Sequence, residues 1–194
     1  LLIPRGVQFI GDYAFYHTDC ISAVTIESSN DEYKLERIGN YAFANCGELT
    51  SVEIPATVKT IGEGTFTYCD QLQSAVYLGT KEQWSKVSVG ADNEELTKVL
   101  SYKYSQINNV VLSQTKYTYN GKVQKPEITT ISGKQLKEGT DYDATWTNIS
   151  SKNAGSYAVT VTGKGAYVGT CTANYTINKA PNTLNVKGNT VKIA

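Results

Sequence analysis

Methionine is absent from this 194-residue sequence, histidine occurs once, and proline and cysteine occur four times each. The single histidine, His17, stands in His17-Thr18-Asp19-Cys20, where i, i+3 spacing supplies two metal ligands at most. A closed zinc site takes four, so no metal site is implied. No G-x-S-x-G element occurs, and His17 has no convincing partners for a hydrolase triad. Four cysteines in a chain this long are not a disulfide framework. No apolar run approaches the ~20 residues of a membrane-spanning helix. An initiator methionine and a secretory signal are also missing, and Leu1-Leu2-Ile3-Pro4 opens in mid-repeat. The chain therefore reads as a segment of something longer.

Net charge is zero, but it is unevenly distributed. Residues 1–105 carry 8 Lys/Arg against 14 Asp/Glu, whereas residues 106–194 carry 10 against 4. Asymmetry of this kind marks a domain boundary. The positive half contains lysine only, dispersed rather than set in the stripe that a phosphate backbone selects, so no nucleic-acid partner is implied. Richness in Thr, Ser, Asn, Gly and Tyr fits an extracellular protein.

What is present is a repeat. Ile38-Gly39 maps onto Ile61-Gly62, Phe43 onto Phe66, Cys46 onto Cys69 and Leu49 onto Leu72, with a period of 23 residues. A fixed period in the low twenties signals stacked coils, each burying its apolar face only against its neighbours. An earlier copy begins at Ile10 and spans 28 residues; its extra length falls in the polar run Glu27–Lys34, expected to bulge as a loop. Val52 and Ile54 alternate with Ser51 and Glu53, the pattern of a strand with one buried face, and Pro55 stops the ladder. Gly39–Cys46 reads as a helical or 3₁₀ turn on the convex side, with Ala42 and Phe43 inward. Cys46 and Cys69, in equivalent positions, read as small buried hydrophobes forming a reduced ladder.

After the third copy the pattern changes. Thr80 with Gln83 three residues on forms a capping box, which predicts a short helix to about Lys86 that sets Trp84 and Val87 over the open end. Leu96 and the alternation from Val99 to Tyr104 predict one more strand.

The pattern I-G-x-x-A-F-x-x-C-x-x-L-x-x-V-x-I-P resembles the BspA-like branch of the leucine-rich repeats, found on bacterial cell surfaces. Tyr77–Trp84 with Val87–Gly90 is similar to the segment that commonly ends such arrays. The resemblance implies a solenoid with a C-terminal cap over residues 1–105, a location at the cell surface or in secretion, and a role in binding.

Beyond about Ile107 six short strand-like runs follow closely: Val110–Leu112, Lys116–Tyr119, Val123–Ile131, Tyr142–Thr147, Ser156–Thr162 and Thr170–Ile177. Turn dipeptides such as Asn120-Gly121 and Ser132-Gly133 separate them, which predicts a small β-sandwich over residues 106–178. Tyr142, Ala144 and Trp146 share its core face. The runs Y-T-Y-N-G-K and A-G-S-Y-A-V-T-V-T-G-K-G-A-Y resemble bacterial immunoglobulin-like modules. Residues 179–194 are similar to a linker or the opening of another module. The fold class is thus mainly β, a short leucine-rich-repeat solenoid followed by an immunoglobulin-like sandwich.

Catalytic chemistry has little support. Asp141 and Asp143 lie on the solvent face of their strand without a companion group, and Gly163-Lys164-Gly165 lacks the G-K-[ST] of a phosphate loop. Asn148-Ile149-Ser150 and Asn174-Tyr175-Thr176 fit the N-glycosylation pattern. No cofactor is implied. The remaining candidate is the exposed ladder of Ala23, Thr25, Glu27, Ser51, Glu53, Ser74 and Val76, the outward partners of the buried strand residues. The expected function is a non-catalytic adhesion or binding module, with a protein or glycan ligand on a host or neighbouring cell and the second domain as spacer. The alternative is a pair of accessory modules of a larger secreted enzyme, such as a cell-wall or glycan hydrolase.

Overall fold

The computed structural model describes residues 1–27, 33–150 and 152–181. The loop expected at Glu27–Lys34 lies mostly outside the described residues, as does the segment 179–194, read as a linker or the start of a further module. The chain divides into two units, one of Leu1–Gln106 with Ala166–Val168, the other of Ile107–Gly165 with the chain from Gly169 on.

The first unit is a β-solenoid whose coils add one strand to each of two parallel sheets. One sheet runs β1 (Leu2–Ile3), β3 (Ala23–Ile26), β5 (Ser51–Ile54), β7 (Ser74–Tyr77) and β9 (Leu100–Tyr102). The other runs β2 (Phe9–Ile10), β4 (Arg37–Ile38), β6 (Thr60–Ile61) and β8 (Ser88–Val89). In-register stacking lines like residues above like: Val24, Val52 and Ala75 face inward from the first sheet, Ile10, Ile38 and Ile61 from the second. Between the sheets Phe15, Phe43 and Phe66 stack nearly parallel, with centroids 5.1 and 5.5 Å apart. Such aromatic pairs contribute about 0.5–1.5 kcal/mol each beyond the area they bury.

The segment between the sheets is not helical. Gly39–Cys46 forms successive turns in which Tyr41 and Asn45 adopt left-handed φ of 51° and 58°. Tyr13 and His17 do the same one coil earlier, Gly64 and Tyr68 one coil later. Left-handed residues break an i→i−4 ladder, and amides turn outward to the next coil instead: Tyr13, Phe15 and His17 donate to the carbonyls of Asn40, Ala42 and Ala44. The glycines that open the segments after the first, Gly39, Gly62 and Gly90, permit this approach. A Cβ on Gly62 would meet the Asn40 nitrogen, and one on Gly90 the Glu63 nitrogen, at 2.5 and 2.6 Å.

The capping box at Thr80 forms as the sequence predicts, with Thr80 Oγ1 accepting from the Gln83 amide and Gln83 Oε1 accepting from the Thr80 amide, at the start of α1 (Lys81–Trp84). Trp84 then packs edge-on against Tyr77, centroids 5.1 Å apart. Leu96 lies not in a strand but in a second helix, α2 (Glu94–Lys98), fully buried. The cap is therefore a degenerate fourth coil, β8 and β9 joining the two sheets with α2 in place of the turn segment. Asn93, 3% exposed, plugs it: Oδ1 accepts from the Phe66 amide while Nδ2 lies within 2.9–3.1 Å of the carbonyls of Gly62, Gly90 and Ala91. Still within this unit, β10 (Ser105–Gln106) pairs in parallel with β16 (Tyr167–Val168).

The second unit is also β. A four-stranded sheet orders β12 (Lys116–Thr118), β17 (Thr170–Asn178), β15 (Gly155–Gly163) and β14 (Tyr142–Trp146), antiparallel except where β12 meets β17. A two-stranded sheet pairs β11 (Val110–Leu112) with β13 (Ile128–Ile131). The strand expected over Val123–Ile131 is only its last four residues, since Pro126 lacks an amide to donate. Ser132 and Gly133, both left-handed, close a two-residue hairpin between Ile131 and Lys134. Ile107, Ile131, Val159, Val161, Tyr175 and Ile177 are buried, with Tyr117, Trp146 and Tyr157 gathered around the Tyr175 ring.

Candidate functional site

The strands of the first sheet present one side chain inward and the next outward, so the outward residues form a grid fixed by register. Ala23, Ser51 and Ser74 make one row across β3, β5 and β7. Glu53, Val76 and Ser101 make part of the next, and Thr25 stands beside Leu2 of β1. Thr25 and Leu2 are exposed, while Ala23, Ser51, Glu53, Ser74 and Val76 are half-buried by their neighbours in the grid. Glu27 lies just past the end of β3, exposed, with Oε2 accepting from the Arg5 amide at 3.3 Å. Leu2 and Ser101 extend the grid beyond the residues picked from sequence, because β1 and the capping strand β9 carry the same alternation.

Chemically the grid is short, flat and free of lysine and arginine. Its one central carboxylate is engaged: β3 and β5 pair only at Ala23 and Val24, and Glu53 Oε2 accepts from the Ile26 amide at 3.3 Å beyond that point. Thr and Ser hydroxyls donate and accept, and Val76 and Leu2 add small apolar areas.

The groups that were candidates for chemistry are placed otherwise. Asp141 Oδ2 accepts from the Lys137 amide at 2.9 Å and closes a turn, while Asp143 pairs with Lys164 at 3.4 Å. His17 is exposed, its Nε2 3.6 Å from Asp19 Oδ2. Among the described residues no group of three or more His, Cys, Asp or Glu is positioned to hold a metal ion. Cys46 Sγ lies 3.2 Å from the Phe15 carbonyl and Cys69 Sγ 3.1 Å from that of Phe43, each thiol donating to the preceding coil. Burial raises both thiol pKa values, that of Cys69 to about 12, so neither is a nucleophile at neutral pH.

A family model of the BspA type leucine rich repeat region matches residues 1–86 in six copies. The repeats of the first unit are thus similar to leucine-rich repeats of the BspA type, and they are arranged as the two-sheet solenoid described above. No curated protein and no solved structure matches the chain. No helix among the described residues is long and apolar enough to cross a membrane.

Proposed function

We propose that this chain is a non-catalytic binding module of a bacterial cell-surface or secreted protein, holding a protein or glycan ligand against the outward face of the first sheet. Residues 106–178 serve as an immunoglobulin-like spacer, a role in keeping with a four-stranded sheet accompanied by a two-stranded one. BspA-type repeats commonly serve as adhesion or protein-binding modules.

The observation that carries this reading is the register-fixed grid of Leu2, Ala23, Thr25, Ser51, Glu53, Ser74, Val76 and Ser101, without a lysine or arginine. Preorganised side chains on strands lose little entropy on contact, which favours recognition across a broad shallow surface. The test is binding of the whole chain to matrix proteins, mucins and glycan arrays, repeated with Thr25→Lys and Val76→Lys together. Loss of a positive signal in the variant is the expected result; an array on which the unaltered chain binds nothing refutes the reading.

A further inference from the structure

The stacked turn segments that lead from the second sheet to the first have a different chemistry. Residues 11–22, 39–50 and 62–73 contain five carboxylates (Asp12, Asp19, Glu48, Glu63 and Asp70), all exposed, and no lysine or arginine. Among them stand three large exposed rings, Tyr13, Tyr16 and Tyr68, at 57%, 46% and 65% exposure. Tyr13 stacks on Tyr41 with centroids 5.3 Å apart and receives Tyr16 edge-on at 5.6 Å. Tyr41 lies over Gly64 and donates its hydroxyl to Glu63 Oε1 at 2.8 Å, a bond that pushes the phenol pKa up. The Tyr16 hydroxyl accepts from Asn45 Nδ2 at 3.2 Å. Tyr13, Tyr16 and Tyr41 are thus each held by a neighbour in the next coil.

Folding does not require tyrosine at these positions. Tyr13 and Tyr41 are left-handed where Gly64 serves in the third coil, and Tyr68 is left-handed where Asn45 serves in the second. A bulky side chain in that region is disfavoured, and glycine or asparagine would suit the backbone better. Tyr13 and Tyr68 thus carry a conformational cost that the solenoid itself does not explain.

We propose that this turn-side surface binds a lysine- or arginine-rich polypeptide segment. Charge complementarity argues for that occupant: the side presents carboxylates without a cation in its own segments, and Asp12 already holds one guanidinium, that of Arg37 at 2.9 Å. Tyrosine rings add cation–π attraction and desolvated contact area, the combination that makes aromatic residues anchors at protein interfaces. The surface is separate from the sheet grid and does not depend on its having a ligand.

The zero formal net charge of the chain divides into −6 over residues 1–105 (8 − 14) and +6 over the rest (10 − 4), so general attraction of a polycation to the first unit has to be separated from local chemistry by uncharged substitutions. The measurement is titration of the full chain with deca-lysine, and with deca-glutamate as control, at low and at physiological salt. Saturable deca-lysine binding that weakens with salt is expected, with no deca-glutamate binding. Replacing Tyr13→Gly and Tyr68→Asn together, substitutions the backbone accepts, lowers affinity about 10-fold or more while the thermal midpoint holds or rises. Equal affinity in that variant overturns the proposal, as does absence of deca-lysine binding or equal binding of deca-glutamate. Thr25→Lys with Val76→Lys on the sheet grid leaves deca-lysine affinity within about 2-fold; a larger loss places the site elsewhere and overturns it too.

Discussion

At the scale of single residues, the coil is defined by what it cannot accommodate. Gly62 has the Asn40 backbone where a Cβ would stand, so Gly62→Ala is expected to cost about 1–3 kcal/mol by overpacking. The equivalent Gly11 has nothing within 4 Å of that position, and Gly11→Ala should stay within about 0.5 kcal/mol. Denaturant midpoints of the two variants check this contrast. Relief of the left-handed tyrosine in Tyr68→Asn should raise stability by about 0.5–1 kcal/mol in the same assay. The thiols give a pH signature. Cys69 keeps its proton in the folded state up to about 12, against 9.0 as its reference value. The stabilisation of its neutral form is therefore fully present below 9 and is lost as pH rises through 12. Alkylation at neutral pH should modify exposed Cys20 in the native chain and reach Cys46 and Cys69 only on unfolding.

At the scale of elements, legibility followed the length of the pattern. The strands β5 and β7 were readable because four residues show alternation, and Phe43 and Cys46 because they recur one period on. The second sheet was not, since Arg37–Ile38 and Thr60–Ile61 are two-residue strands too short for any periodicity. The left-handed tyrosines were not legible, because tyrosine gives no local sign of positive φ as Asn45 and Gly64 do. Thr80 announced its helix through the box with Gln83, whereas the helix that holds Leu96 has no side-chain cap to announce it, and one apolar residue in five fits a helix as well as a strand. The outward grid was readable as soon as the strands were, except at Leu2 and Ser101. The cap makes its own prediction. Asn93→Leu removes the acceptor of the buried Phe66 amide and should cost about 1–3 kcal/mol, against about 1 kcal/mol for Thr80→Ala. Reversal of that order in thermal unfolding would show that the helix, rather than Asn93, closes the core.

At the scale of the whole molecule, the solenoid presents two unlike surfaces and the proposed functions divide between them. The sheet grid is uncharged but for Glu53 and Glu27; the turn side is anionic and aromatic. A stable partner needs a footprint of about 800 Å², so contact has to cover all five strands of that sheet and extend past the ends of these two- to four-residue strands. The most direct measurement is therefore the affinity of the full chain for its best ligand from the binding array, compared across two paired-lysine variants. One carries Thr25→Lys and Val76→Lys on the grid, the other Thr60→Lys and Ser88→Lys on the outward row of the second sheet. Loss of about 10-fold or more in the first variant, with less than about 2-fold change in the second, is the predicted result. Equal effects in both, or none in either, would contradict the assignment of the binding face.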